Sequence, residues 1–207
     1  MPEQEKIKRF ESLLMETGRK NIESLIAFIR DSDFYTAPAS TRFHSCHEGG
    51  LLEHTLNVYD CLVNIYDGND PCWDKLRKTT KRESIIICAL LHDLCKTYFY
   101  TTELKNKKVY SDHGKKSDSN GRFDWETVPS YTVDDRIPYG HGEKSVMMIE
   151  NYIRLEPIER YAIRWHMGFA EPKENYNAFT AAIKKHHLVL AMNIADLEAT
   201  YLLEKEE

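Results

Sequence analysis

Nine histidines are spread along a chain of 207 residues, and several stand beside acidic groups or where a helical pattern begins or ends. The positions that stand out are His54, the dipeptide His92-Asp93, His141, His166 and Asp196. Imidazole and carboxylate are side chains that hold divalent transition metals. A set this rich in imidazole suits manganese, iron, cobalt, nickel or zinc better than magnesium, and the sequence does not choose among those five. The dipeptide follows Leu90 and Leu91 and precedes Leu94, which predicts a protected position for both side chains. A buried imidazole and a buried carboxylate are each costly unless paired or bound to a cation. The carboxylate, with two oxygens, can bridge two ions. Taken alone, a His-Asp dipeptide is more often structural, the imidazole donating to its neighbour or to a backbone carbonyl. Taken alone, too, His141 fits a helix cap and His166 fits an imidazolium at a helix C-terminus.

Helices are what must position these groups. Ile7, Phe10, Leu13, Leu14, Ile22, Leu25, Ile26 and Ile29 recur at helical spacing over residues 5–30, with a break expected near Gly18. Residues 31–50 read as a loop ending in Gly49-Gly50. A helix is expected from Leu51 to about Tyr66, its buried stripe formed by Leu52, Leu56, Tyr59, Leu62 and Tyr66. Asp67-Gly68-Asn69-Asp70-Pro71 stops it. Residues 82–95 form the most apolar helix, hence a central one, with His92 and Asp93 in its last turn. Further helices are expected at 142–153, 157–167 and about 177–204. Between Lys96 and Tyr139 the character changes. Residues 98–102, 108–110 and 131–133 read as short strands, with turns at Gly114 and 117–121. The expected fold is an all-α bundle with a small β-hairpin insertion at about 98–135, the whole of residues 1–207 forming a single domain with 1–33 as its N-terminal helices.

Composition narrows the function. A net charge of -5 leaves no global basic field for nonspecific nucleic-acid binding. The cysteines are odd in number, five, and none forms a C-x-x-C pair, so reduced thiols are expected rather than a disulfide framework or a zinc knuckle. The charged segment MPEQEKIKRFESLL is no secretory signal, and no run approaches the roughly 20 apolar residues of a membrane span. A cytoplasmic protein without a membrane partner is expected. No heptad array is sustained, and the pattern leaves the oligomeric state open.

His54 lies in GGLLEHTLNVYD, His92-Asp93 in LLHDLCK and Asp196 in NIADLEATY. The order His, His-Asp, Asp, each on a predicted helix, resembles the HD-domain superfamily of metal-dependent phosphohydrolases over roughly residues 34–200. The resemblance implies a helical bundle in which these side chains coordinate a divalent metal. In the dinuclear branch of that family two further histidines lie between the pair and the last Asp, and His141 in YGHGEKSV and His166 in AIRWHMGF fit that placement. The implied assignment puts His54, His92, Asp93 and Asp196 on one metal. Asp93 then bridges to a second metal held by His141 and His166, with a bridging water as nucleophile. Locally, APASTRFHSCHEGGLLEHTLNVYD resembles the opening of the HD domain of certain bacterial 3′-to-5′ exoribonucleases, although this chain is expected to have no room for their OB-fold.

That local resemblance includes His44 as a contact to substrate or an acid toward the leaving oxygen. His47 departs from it, since an aromatic is commoner there. Lys96 follows the dipeptide by one helical turn. The family implies that it faces a substrate phosphate, and the alternative is a solvated lysine at a helix C-terminus. Glu53 is a candidate support for His54, while His113 and His186-His187 are expected outside the site. In the insertion, lysines interleave with Tyr110, Phe123 and Trp125. They could grip a nucleotide or a single strand, or form a solvated tip over packed rings. The expected function is a hydrolase of a phosphomonoester or phosphodiester, with a nucleotide as substrate. Alternatives are exonuclease-like action on nucleic-acid 3′ ends, a non-catalytic ligand-binding module of the HD fold, and an oxygenase with a dinuclear iron site.

Overall fold

The computed structural model describes residues 2–204. The central element is the apolar helix expected from the sequence, α5 (Arg82–Leu91), counted after α1 (Glu3–Glu16), α2 (Ile22–Asp31), α3 (Gly50–Asp67) and the short α4 (Asp74–Thr79). Every residue of α5 from Ser84 to Leu91 is buried. Each large aliphatic side chain so placed is worth about 1.5–3 kcal/mol relative to exposure. Packed around α5 are α1, α3 and α7 (Pro157–Arg164); α3 and α7 in turn pack on α9 (His187–Glu198), and α6 (His141–Glu150) packs on α7. A smaller apolar cluster joins Phe179 and Ala182 of α8 (Tyr176–Lys185) to Val189 of α9.

Three differences from the expected elements matter for the site. First, α5 ends at Leu91, so His92 and Asp93 lie just beyond it, before a 3-10 turn at Leu94–Lys96. Asp93 has left helical backbone, with φ -102° and ψ 18°. Second, the last helical stretch breaks at His186, whose extended backbone separates α8 from α9, and α9 then widens into a π-turn over Ala199–Leu203. Third, the fold is not all-α. The insertion is a three-stranded antiparallel sheet of β1 (Tyr100–Tyr110), β2 (Lys116–Asp118) and β3 (Gly121–Val133), in the order β1-β3-β2. Its two long strands pair from Tyr100 opposite Val133 to Tyr110 opposite Phe123. Most of their residues are exposed on both faces. The hydrophobic alternation that marks a half-buried strand is therefore absent over most of their length, which explains why only three short pieces were expected.

Among the described residues, no helix is long and apolar enough to cross a membrane.

Candidate metal centre

Four local devices bring the predicted side chains together. His54 projects from the second turn of α3, whose start is pressed against the preceding loop. A Cβ on Gly50 would lie 1.9 Å from the Ser45 carbonyl oxygen, so only glycine fits, and the loop carries His44 to within 4.9 Å of the His54 ring. His92 and His166 share a second device. Each follows the end of a helix and directs Nδ1 at the carbonyl three residues back, Ala89 at 2.9 Å and Ile163 at 2.7 Å. An Nδ1–H donating there fixes the tautomer and leaves Nε2 as a bare acceptor. The third device is Gly142. A Cβ there would lie 2.3 Å from the Arg164 carbonyl oxygen, so the start of α6 can lie on the end of α7, which sets the His141 and His166 rings 5.0 Å apart. Glu159 supplies the fourth. Buried in a capping box at the start of α7, it accepts from the Ser84 hydroxyl at 2.7 Å and pairs with Arg19, locking α7 to α5.

The result is a buried polar cluster around Asp93. Its Oδ1 lies 2.9 Å from Nε2 of His141 and 3.6 Å from Nε2 of His166. Its Oδ2 lies 2.7 Å from Nζ of Lys96, 3.4 Å from Nε2 of His92 and 3.7 Å from Nε2 of His54. Asp196 on α9 places Oδ1 3.2 Å from Nε2 of His54. All the proposed ligands thus converge. Ligand atoms of His54, His92 and Asp93 lie within 4.8 Å of one another, as do those of Asp93, His141 and His166, so the two groups share Asp93.

Within the protein this cluster is unsatisfied. Nε2 of His92, Nε2 of His166 and Oδ1 of Asp93 are buried without a hydrogen-bond partner, the close approach of His141 to Asp93 lacking hydrogen-bond alignment. Leaving such groups unpaired costs about 1–3 kcal/mol each. Imidazole and carboxylate atoms gathered around Asp93 fit a divalent transition cation.

Carboxylates and basic groups in this pocket hold one another charged. Burial pushes the Asp93 carboxyl up, yet Lys96 and the surrounding imidazoles outweigh it and hold the group well below the usual carboxylate range. His54 is raised to about 9, since Asp196 and Glu204 outweigh the burial that acts against its charge. His44 is pushed down to about 4, by burial first and then by His54 and Lys96.

Sequence reading missed Glu204. Both its oxygens lie 3.1 Å from Nδ1 of His54, and they also accept from the Ser45 hydroxyl and the Asn57 amide. A carboxylate behind a metal-ligating imidazole fixes its tautomer and raises its basicity. The only available signal was distance along the last helix. The π-turn absorbs one extra residue, so Glu204 comes to the face that an unbroken helix gives to the seventh residue after Asp196. Glu53, expected in this supporting role, instead pairs with Lys6 at the surface. Asn193 was missed too, and its amide donates to the His166 carbonyl at 2.6 Å.

The cluster floors a cleft of about 530 Å³ lined by His44, Lys96, Tyr100 and Thr200 among others. Lys96 is 9% exposed and faces this cleft, which removes the solvated alternative. His47 and His113 are exposed and do not line it, and His186 instead packs on Tyr161.

The model of the family described as "HD domain" matches residues 51–201, the span that carries all the converging ligands. The chain belongs to the HD domain family. Over 64 residues this HD chain is 39% identical to a protein of Methanocaldococcus jannaschii named "Dihydroneopterin 2',3'-cyclic phosphate phosphodiesterase". That match covers 31% of the HD chain and 24% of the relative, so the likeness spans about a quarter of the relative's length. No solved structure matches the chain.

Proposed function

We propose that the protein is a metal-dependent phosphohydrolase that cleaves a phosphoester of a nucleotide-like small molecule, a phosphodiester in the first instance, at a two-metal centre. The observation that carries the reading is the sharing of Asp93 between two groups of ligand atoms, of which Nε2 of His92, Nε2 of His166 and Oδ1 of Asp93 are buried without a hydrogen-bond partner. His54, His92, Asp93 and Asp196 would hold one cation, and Asp93, His141 and His166 the other. When bound, such a pair supplies charge neutralisation at the phosphoryl oxygens and a water deprotonated near neutral pH. The relative named as a cyclic-phosphate phosphodiesterase supports the diester.

The chain's own side chains do the rest. Lys96, buried against Asp93, presents an ammonium to the cleft and meets a phosphate oxygen as a point charge. His44 has both ring nitrogens buried without partners, and with its acidity set near 4 it is neutral at pH 7. It therefore serves as a hydrogen-bonding group that orients the ester rather than as a charged acid. Glu204 and Asn193 hold His54 and His166 in place.

The test begins with metal content of the purified protein. The manganese-loaded protein is then assayed against nucleotides, cyclic nucleotides and short RNA and DNA, with and without chelator. Chelator-sensitive hydrolysis is expected, giving an alcohol and a phosphomonoester from a linear diester and a single ring-opened phosphomonoester from a cyclic one. Metal bound without turnover on any phosphoester would sink the reading.

A further inference from the structure

The cleft has two chemically different ends. Its floor is the polar cluster. Its mouth carries Phe43 and Tyr201, 83% and 65% exposed, flanked by Leu197 and Val133. Large apolar side chains held in water around an opening are a surface that a planar ring can cover, and a ring has two faces on which aromatic side chains stack.

Charge is distributed just as unevenly. Among the described residues, Lys96 is the single lysine or arginine that lines the cleft, and its ammonium already faces Asp93 at 2.7 Å. Arg42 lies between Thr41 and Phe43 but is exposed and outside the lining. The ribbon contributes Tyr100 and Val133 to the wall and none of its lysines. Sites that take polyphosphates meet the extra charge with clustered arginine, lysine and metal ions, and surfaces that track a strand use a basic groove. Among the described residues neither a second cluster of basic side chains nor a basic groove leads away from this floor, so beyond Lys96 and the proposed cations nothing meets the charge of further phosphates. The cleft volume lies within the roughly 300–1,000 Å³ of small-molecule sites.

We infer that the site selects esters with a single phosphate, linear or cyclic, attached to a planar aromatic group that stacks at Phe43 and Tyr201, and discriminates against nucleoside triphosphates and nucleic-acid strands. This rests on the phosphohydrolase reading above. A competition of kcat/KM values for the manganese-loaded protein tests it. The substrates are a nucleoside 5′-monophosphate, a 2′,3′-cyclic monophosphate, the matching triphosphate, a ten-nucleotide RNA and glycerol phosphate. The single-phosphate nucleotides are expected to exceed triphosphate and RNA at least about tenfold. Phe43→Ala with Tyr201→Ala should lower the preference for nucleoside monophosphate over glycerol phosphate by about tenfold, the scale of one lost stacking contact. Arg42→Ala should leave the order of substrates unchanged.

Calorimetric titration of the same loaded proteins with the nucleoside monophosphate and the triphosphate supplies a readout independent of turnover. The monophosphate should bind more tightly, and the double variant should weaken it. Triphosphate or RNA preferred in either measurement, or a double variant that keeps its preference for the ring, overturns the inference. Absence of turnover with monophosphate binding intact overturns only the hydrolase reading.

Discussion

The helical floor and the β ribbon are built by opposite strategies. On the floor, three of the candidate ligands are held from behind: His54 by Glu204, His92 by the Ala89 carbonyl and His166 by the Ile163 carbonyl. Out on the ribbon, side chains mostly hold one another. Tyr110, Phe123 and Trp125 pack ring to ring, the Lys108 ammonium lies 4.4 Å from the Phe123 ring centre, and Lys108 and Tyr110 both reach Asp118. The aromatic rings of the insertion and Lys108 therefore engage one another, which favours the packed tip over a grip on a strand. The difference shows where strain is stored. The floor keeps polar atoms unsatisfied at the cost of stability, as a binding site must, whereas the ribbon leaves little unmet.

The largest effect should come from the residue both ligand groups share. Asp93→Asn keeps the shape and removes the charge. Metal content should drop toward zero and turnover by at least about 10³-fold, since losses of supporting groups alone cost about 10–100-fold. Elemental analysis and kcat on the same preparation check this. An Asp93→Asn protein that retains both metals and activity breaks the assignment.

Glu204→Gln comes next. It leaves a hydrogen bond to His54 but removes the carboxylate, so affinity for the metal held by His54 should weaken by about 10–100-fold. Competition with a fluorescent chelator measures it. Affinity unchanged within twofold would make Glu204 a packing residue.

The two residues were unequally legible in the sequence. His54, His92-Asp93, His141, His166 and Asp196 could be picked out because their order along the helices resembles that of the HD family, each being ambiguous taken alone, and the central helix was plain from its unbroken apolar run. Glu204 was hidden because the first of three glutamates in LLEKEE looks like part of a solvated tail, and only the π-turn, which no residue type announces, aims it inward. The placement of His92 and Asp93 was misjudged by a single turn for a similar reason. Leucines on both sides continue the helical pattern, while the backbone leaves the helix so that adjacent side chains can reach one centre. The ribbon's length was invisible because a strand wet on both faces needs no alternation.

Gly142→Ala tests the geometry rather than the chemistry of the floor. The added Cβ meets the Arg164 backbone, so α6 must move off the end of α7. Overpacking of this kind costs about 1–3 kcal/mol, a fall in Tm of roughly 2–10 °C in a chain of this size. On the two-metal proposal, the shift separates His141 from His166, so the cation assigned to them should be lost before the one assigned to His54. A titration of metal stoichiometry showing both lost together would mean that the two halves of the floor are not independent.

The smallest effect is expected at Trp125→Ala, on the other side of the comparison. Trp125 is 51% exposed, sits opposite Lys108 across β1 and β3, and stacks edge-on against Phe123. Its loss removes one ring contact and thins cover over Phe123, which is itself only 6% exposed. Hydrogen exchange should quicken in the outer part of the ribbon, between residues 106 and 127. The global Tm should move by no more than about 2 °C, in line with surface changes within about 0.5 kcal/mol, and kcat should stay within twofold. The inner end of the ribbon is different, because Tyr100 donates to the Ala39 carbonyl and, with Val133, lines the cleft. If Trp125→Ala slowed turnover markedly, the outer ribbon would have to be coupled to that wall, and the division between a strained floor and a self-contained arm would fail.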